Sequence, residues 1–254
     1  MKITKFIVSI VLFLGITVLA IWAVIKSEDQ TCNEVSVFIH SANKCVLLSD
    51  SDVLTILKKN NVECMGEVIK DIDPTNIHNI LAQENYIKSV DKVHIIGTKL
   101  QIEVTLYNIL LEVNCKTGEK FLLDENGVYL PYSPKVENDV IVTKGNIPYS
   151  FHKKEIVSPD DPELYEIFSV ASLIKKDPFY SKRFHNLEMN EKQEIVLHPS
   201  VGNLYVMFGT LQDAQNKLKT LKYMYEEVLP YMNDDKYAQL DVRFKNRIVA
   251  TKKS

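Results

Sequence analysis

The feature that most constrains this chain is an uncharged apolar run near its start. Phe6–Ile25 contains no charged residue, and only Ser9, Gly15 and Thr17 interrupt its apolar character. A helix of this length rises roughly 30 Å, which matches the hydrocarbon core of a bilayer. The run therefore predicts a transmembrane helix over Phe6–Ile25 rather than an element of a water-soluble core.

The charges beside the run predict its orientation. Lys2 and Lys5 precede it, whereas Lys26 is followed by Glu28 and Asp29. Positive residues favour the cytoplasmic side of a membrane. We therefore expect a cytoplasmic tail over residues 1–5 and a single-pass protein of the cytoplasmic (inner) membrane. The bulk of the chain would then be extracytoplasmic, in the periplasm where one exists.

The same run can also be read as a cleaved signal peptide, because Val18-Leu19-Ala20 places small or short residues where a peptidase would read them. The run extends from Phe6 to Ile25, longer than the usual apolar region of about 7–15 residues in signal peptides, and this favours an uncleaved anchor. Trp22, the only tryptophan, falls near the outer end, where an indole suits the headgroup layer. Both interpretations export the rest of the chain.

The charge balance excludes one class of partner. The chain has 30 Lys and Arg against 33 Asp and Glu, and without residues 1–25 the balance is 28 against 33, or about −5. A nucleic-acid binder needs a basic face to displace phosphate counterions, so nucleic acid is excluded. No basic cluster follows the apolar run that would hold the exported part to anionic lipid.

Residue types divide the exported part near residues 106–111. All four Cys precede residue 116, whereas eight of the nine Pro and eleven of the twelve Tyr follow residue 106. One core seldom separates residue types so cleanly. We therefore predict a linker over residues 26–33, a first domain over residues 34–107 and a C-terminal domain over residues 108–254.

The first domain has the pattern strand, helix, helix, strand, strand. Val35, Val37 and Ile39 recur at every second position, as on one face of a half-buried strand. Ser49 with Asp52 predicts one helix start and Asp73-Pro74 a second. Leu100–Leu106 is a further alternating strand. This order predicts a two-layer α+β module with both helices on one face of a three-stranded sheet.

The C-terminal domain is predicted to be β-rich with two helices. Phe121–Asp124 and Val128–Leu130 flank Asn126-Gly127, which is typical of a hairpin turn. Asp161-Pro162 and Asp177-Pro178 bound the first of the two helices.

The second helix is predicted to start at Thr210. Its apolar residues repeat at intervals of 3 and 4, which indicates a face packed on a sheet or, less favoured over so short a span, a coiled-coil seam. Leu240–Phe244 then alternates as a strand, Lys245-Asn246 predicts a turn, and Ile248–Ala250 returns as a last short strand.

The residue patterns of common catalytic sites are missing from the sequence. The six His are scattered, and no Cys-x-x-Cys, Gly-x-Ser-x-Gly, Gly-x-Gly-x-x-Gly or Walker loop occurs. Asp160-Asp161 and Asp234-Asp235 are acidic pairs of a kind common in surface turns. We therefore predict no catalytic residue, metal, cofactor or small-molecule substrate. In an oxidising compartment Cys45–Cys64 or another pair can bridge, although Cys residues are also often simply buried.

A short tail, one span, a β-α-α-β-β module and a β-rich domain form an order that resembles the FtsQ/DivIB family of bacterial cell-division proteins, whose first exported module is a POTRA domain. Leu240–Phe244 is similar to that family's Asp-Leu-Arg-Tyr segment, with Phe in place of Tyr. Leu100–Val104 resembles its last POTRA strand, and Leu123–Gly127 its Asp-x-x-Gly turn.

The chain also departs from the family pattern. Leu106 and Ile109 stand where the family often has Glu and Pro, and Tyr132–Lys192 matches no recognised segment.

The resemblance implies a non-enzymatic scaffold of the divisome, with the bitopic proteins FtsB and FtsL as partners. A partner segment would add itself to a C-terminal edge strand by β-augmentation. On this interpretation the Val242–Ala250 hairpin carries the edge. Phe244 and Val249 would be apolar anchors beside Ile248, and Arg243 a charged one.

Three other interpretations stay open at this stage. Leu240 and Val242 can be core residues, with Arg243 a solvated neighbour rather than a partner contact. A POTRA-type module can also serve envelope protein assembly or secretion. An anchored extracytoplasmic hydrolase is the enzymatic alternative, and the missing site patterns disfavour it.

Overall fold

The computed structural model divides the chain into two compact units. The first comprises Met1–His40 with Leu48–Leu106, and the second Ser41–Leu47 with Tyr107–Ser254. The structure describes residues 13–19, 30–42, 47–136, 140–148, 151–152, 155–231, 236–245 and 247–253.

The predicted membrane anchor falls largely outside these ranges. Residues 13–19 are helical, whereas Phe6, Trp22 and Ile25 lie outside the described residues. Among the helices that the structure does describe, none combines the length and the apolar character needed to cross a membrane.

The first unit confirms the predicted α+β module. Its three strands have the order β1-β3-β2, with β3 parallel to β1 and antiparallel to β2. A short 3-10 helix, Ile69–Asp71, precedes the second α-helix. The elements are β1 (Glu34–His40), α1 (Asp50–Lys59), α2 (Pro74–Ala82), β2 (Ile87–Ile96) and β3 (Lys99–Leu106).

The two helices of this unit begin where the sequence predicts. Ser49 and Asp52 form a reciprocal capping box at the start of α1, and the Asp73 side chain accepts from the Thr75 N–H at the start of α2. Every second residue of β3 is buried, starting at Leu100. The sheet therefore presents one apolar face for the helices to cover.

The second unit contains, within the described ranges, a nine-stranded mixed sheet in the order β12-β11-β10-β9-β8-β7-β4-β5-β6. The pairs β4–β7, β7–β8 and β10–β11 are parallel. The strands are β4 (Ile109–Asn114), β5 (Lys120–Asp124), β6 (Tyr129–Pro131), β7 (Ile141–Gly145), β8 (Phe184–Met189), β9 (Ile195–Pro199), β10 (Tyr205–Gly209), β11 (Tyr237–Asp241) and β12 (Val249–Lys252).

Helices cover the sheet of the second unit with their apolar sides. They are α3 (Pro162–Lys176), α4 (Pro178–Ser181) and α5 (Ala214–Tyr223). The residue before α5, Asp213, has a left-handed φ of 56°, so the predicted start at Thr210 is wrong. The buried residues of α5 (Ala214, Leu218 and Leu221) lie in the core of this unit, as predicted for a face packed on a sheet.

Candidate partner-binding edge

The two outer strands of the large sheet differ in how their edges are covered. Beyond β6, Val128 forms a β-bridge with Ile156. The Tyr129 N–H donates to the Glu155 carbonyl at 3.0 Å, and the Val157 N–H to the Gly127 carbonyl at 2.9 Å. The segment around Ile156 therefore occupies the backbone groups that this edge would otherwise expose.

Within the described residues, the outer edge of β12 is not covered. β12 pairs antiparallel with β11, with Leu240 opposite Ala250, and within the described residues no strand lies on its other side. The Lys253 N–H donates to the Lys236 carbonyl at 2.9 Å, so the backbone N–H of Lys253 points towards β11. Successive residues of a strand direct their backbone groups to alternate sides of the strand. The backbone N–H and C=O groups of Ala250 and Lys252 therefore point away from β11. These groups point to the side of β12 on which another strand could add.

The hairpin that carries this edge differs from the predicted one. β11 ends at Asp241, so Val242 and Phe244 lie in the connection to β12 rather than in a strand. The Val242 N–H still donates to the Met207 carbonyl at 3.1 Å. Leu240, Asp241 and Val242 are all buried, so burial does not follow the apolar and polar alternation of the sequence here.

Arg243 explains why an aspartate can be buried here. Its Nε donates to Asp241 Oδ1 at 2.9 Å and its Nη2 to Asp241 Oδ2 at 2.6 Å, a bidentate pair. Its Nη1 donates to Glu194 Oε1 at 2.6 Å, and its backbone N–H donates to Asp241 Oδ1 at 3.1 Å. Arg243 therefore bends the chain after β11 and ties it to the turn before β9.

The charges of this cluster shift one another's titration. Burial alone would raise the pKa of Asp241 and of Glu194, but hydrogen bonds lower both pKa values, from Arg243 at Asp241 and from Arg243 and Asn190 at Glu194. The hydrogen bonds of Arg243, first to Asp241 and then to Glu194, raise the pKa of Arg243. All three groups are therefore held in their charged forms at neutral pH.

A polar cleft of about 490 Å³ lies beside this cluster, and its lining includes Glu194, Gly209, Lys217, Arg243, Phe244 and Lys245. Burial lowers the pKa of Lys217, whose Nζ donates to the Thr210 carbonyl at 2.9 Å. The Lys217 Nζ also lies 5.1 Å from the centre of the Phe208 ring. Among the cleft residues, Gly209 has a left-handed φ of 79°, and a Cβ on it would lie 2.9 Å from Arg243 Cγ.

We expect Gly209→Ala to lower the free energy of unfolding by about 2 kcal/mol, because it combines backbone strain with a displaced Arg243 stem. Gly202→Ala is the matched control, since Gly202 has a similar φ of 85° but open space around a Cβ. Urea unfolding gives the loss in free energy of unfolding for both variants, and the difference between the two losses reports on the contact with Arg243. Equal losses in the two variants would contradict a specific role for Gly209.

Two apolar side chains flank the connection between β11 and β12. Phe244 is 41% exposed and Val249 is 44% exposed. The guanidinium carbon of Arg247 lies 4.9 Å from the centre of the Phe244 ring. Ile248, in contrast, packs against the core. Of the four predicted partner residues, the structure thus leaves Phe244 and Val249 accessible, whereas Arg243 is engaged by Asp241 and Glu194.

The β12 edge presents backbone hydrogen-bonding groups and the apolar side chains of Phe244 and Val249.

Over the part of the chain that the structure describes, no three His, Cys, Asp or Glu side chains come together in a way that could hold a metal ion. Sequence reasoning missed Asp241 and Glu194 as members of the cluster. The arginine two residues after Asp241 is the signal that could have indicated the first of them.

The first unit has the order β-α-α-β-β, and residues 30–105 match the model of the POTRA-like domain. The chain is therefore a protein that carries a POTRA-like domain. Residues 110–251, more than half of the chain, match the family model described as FtsQ/DivIB, C-terminal related. The chain belongs to this FtsQ/DivIB family, and its two domains indicate a scaffold role in cell division. A search of curated proteins returned no match to the chain.

Proposed function

We propose that this chain is a non-enzymatic, membrane-anchored scaffold of the bacterial divisome. Its partners would be bitopic division proteins of the FtsB and FtsL type, which it links to septal wall synthesis. The contact would be an added strand on β12, with Phe244 and Val249 as apolar anchors at the connection and Ile248 supporting them from the core side.

The observation that carries this proposal is the difference between the two sheet edges. An uncovered edge strand is a liability in a protein without a partner, because any other chain can pair with it. At β6 the segment 155–157 removes that liability, whereas at β12 the described residues leave the edge open. A partner strand on β12 would satisfy those backbone groups.

The role of Arg243 in this proposal is to position the edge. Its guanidinium already donates to two carboxylates, so a further partner carboxylate would compete with Asp241 and Glu194. By fixing the bend after β11, Arg243 determines the position of Phe244 and the point at which β12 begins.

We expect Ala250→Pro to weaken binding of the partner at least about tenfold. Proline removes an N–H that faces away from β11 and places a ring where the partner backbone would lie. No hydrogen bond between β11 and β12 should be lost. The measurement is co-purification and titration of the full chain with FtsB-type and FtsL-type partners.

Ala250→Ser is the matched control for that experiment, because it keeps the N–H and adds a single oxygen. We expect its affinity to stay within about twofold of the parent chain. Circular dichroism and a urea midpoint check that both variants are folded. Undiminished binding by a folded Ala250→Pro variant would rule out strand addition at β12.

The proposed anchor rests on the uncharged run Phe6–Ile25 and on the charges around it. The described residues 13–19 are helical, and their apolar side chains are exposed, as lipid-facing side chains are: Phe13, Leu14, Ile16, Val18 and Leu19. Protease added to intact spheroplasts should degrade the chain beyond about residue 30 if it is exported. Full protection in spheroplasts, with digestion after lysis, would overturn the orientation.

The cellular role is tested by the position of a fluorescent fusion to the full chain. Recruitment to mid-cell before constriction supports the divisome scaffold. Uniform envelope staining would favour an envelope-assembly role or an anchored enzyme instead. Loss of mid-cell recruitment in Ala250→Pro, with recruitment kept in Ala250→Ser, would link the edge to the cellular role.

A further inference from the structure

Two segments that are distant in the sequence lie side by side at the start of β1. The Cys32 N–H donates to the Glu67 carbonyl at 2.8 Å, and the Cys32 carbonyl accepts from the Gly66 N–H, also at 2.8 Å. Thr31 and Val68 form an antiparallel bridge next to them. The chain entering β1 is thereby fixed against the chain that returns from α1, two residues after Cys64.

Cys32 and Cys64 are both buried beside this contact. Cys32 is 1% exposed and Cys64 is 6% exposed, and both are free thiols in the structure. Burial raises the pKa of Cys64 to about 11, and the negative charges of a Cys32 thiolate and of Glu67 add to the effect. The backbone contact places Cys32 opposite Gly66 and Glu67, two and three residues after Cys64.

The two thiols differ in how a reagent reaches them. Cys64 lines an apolar groove of about 290 Å³, together with Val35, Leu57 and Met65. Cys32 does not line this groove, and its Sγ donates to the Glu34 carbonyl at 3.4 Å. A small disulfide in the groove therefore meets Cys64 first.

We propose that Cys32 and Cys64 form a redox modification site, at which the two thiols are converted to a disulfide that closes the first unit around α1. The oxidant is an external disulfide, such as oxidised glutathione or the active site of a disulfide oxidoreductase. The Cys64 thiol loses its proton, and its sulfur attacks the external disulfide and expels one thiolate. The Cys32 thiolate then attacks the Cys64 sulfur of the mixed disulfide and expels the second, and the two thiol protons end on the released thiols.

The site rests on the geometry of the first unit and is independent of the β12 edge. Only its use in the cell depends on the proposed export of the chain to an oxidising compartment. Oxidation of the purified protein therefore tests the site whether or not the scaffold proposal holds.

The sequence makes the pairing easy to assign, because trypsin places the four cysteines on different peptides. Cys32 lies on residues 27–44, Cys45 on 45–58 and Cys64 on 60–70, while Cys115 lies on a later one. The purified full chain is equilibrated with oxidised glutathione, alkylated and digested without reduction. We expect peptide 60–70 to be linked to peptide 27–44 in most molecules. A link of peptide 60–70 to 45–58, or two alkylated peptides without a link, would overturn the proposal.

Variants separate the disulfide from any general effect of oxidation. We expect oxidation to raise the melting temperature of the first unit on the order of 10 °C, since the bridge closes a long loop. Cys32→Ser and Cys64→Ser should each abolish this rise, whereas Cys115→Ser should keep it. If the reduced Ser variants melt well below the reduced parent, the peptide map of the parent chain alone decides. A rise that persists in Cys32→Ser would contradict the assigned pair.

Discussion

Replacing Asp124 by alanine is expected to lower the free energy of unfolding of the second unit by about 3 kcal/mol. Asp124 is fully buried. Its carboxylate accepts from the Asn126 N–H at 2.9 Å, the Val128 N–H at 2.7 Å and Asn126 Nδ2 at 3.0 Å. Alanine would leave two backbone N–H groups without an acceptor in the turn between β5 and β6.

The measurement is urea unfolding of the full chain, monitored by a spectroscopic signal that reports on the second unit. Asp124→Asn keeps one acceptor oxygen and should lose about half as much stability. Asp160→Ala is the surface control, because Asp160 is exposed and bonds within a local turn to Ser158. If Asp124→Ala lost no more stability than Asp160→Ala, the carboxylate would not be what holds this turn.

This turn shows which part of the fold the sequence predicts well. Asn126-Gly127 predicted a hairpin, and the structure confirms it with Gly127 at a φ of 82°. The capping box of Ser49 and the helix starts at Asp73-Pro74 and Asp161-Pro162 are likewise confirmed. Each of these signals depends on contacts within about four residues, so a short stretch of sequence contains all the interacting groups.

The centre of the large sheet was not predictable in the same way. β7 and β8 lie within Tyr132–Lys192, where no strand was predicted, and they pair in parallel on either side of a crossover through α3. β7 has only five residues, and the last two are exposed. A run this short does not establish a strand from its own pattern, because its neighbours β4 and β8 are supplied by distant parts of the chain.

The strand bounds around the candidate site were not predictable for the same reason. Leu240–Phe244 reads as one alternating strand, but β11 ends at Asp241, and Arg243 just beyond it donates to Glu194, 49 residues earlier in the chain. Whether an edge is open depends on the order of strands in the sheet. The covering of β6 by residues 155–157 and, among the described residues, the uncovered side of β12 follow from the order of strands in the fold and not from the local pattern.

The second large effect is expected for Arg243→Ala, which should lower the free energy of unfolding by about 2 to 3 kcal/mol at neutral pH. The Asp241 side chain is only 7% exposed and would lose both hydrogen bonds from the guanidinium. We expect a smaller loss in free energy of unfolding than for a fully buried ion pair, because the Arg243 side chain is itself 33% exposed. Lys245→Ala, on the exposed connection, is the control and should change stability by less than about 0.5 kcal/mol.

Acidification should remove the effect of Arg243→Ala. Burial would raise the pKa of Asp241 and Glu194, but hydrogen bonds lower both, from Arg243 at Asp241 and from Arg243 and Asn190 at Glu194. A carboxyl group whose pKa is lowered by folding stabilises the fold above its unfolded pKa of about 4, and this stabilisation is lost as the pH falls through the folded pKa. The urea midpoints of parent and variant should therefore differ most near pH 7 and converge as the pH falls below about 4 and through the folded pKa values. An unchanged difference at low pH would mean that Arg243 acts through the packing of its stem against Gly209 rather than through its charge.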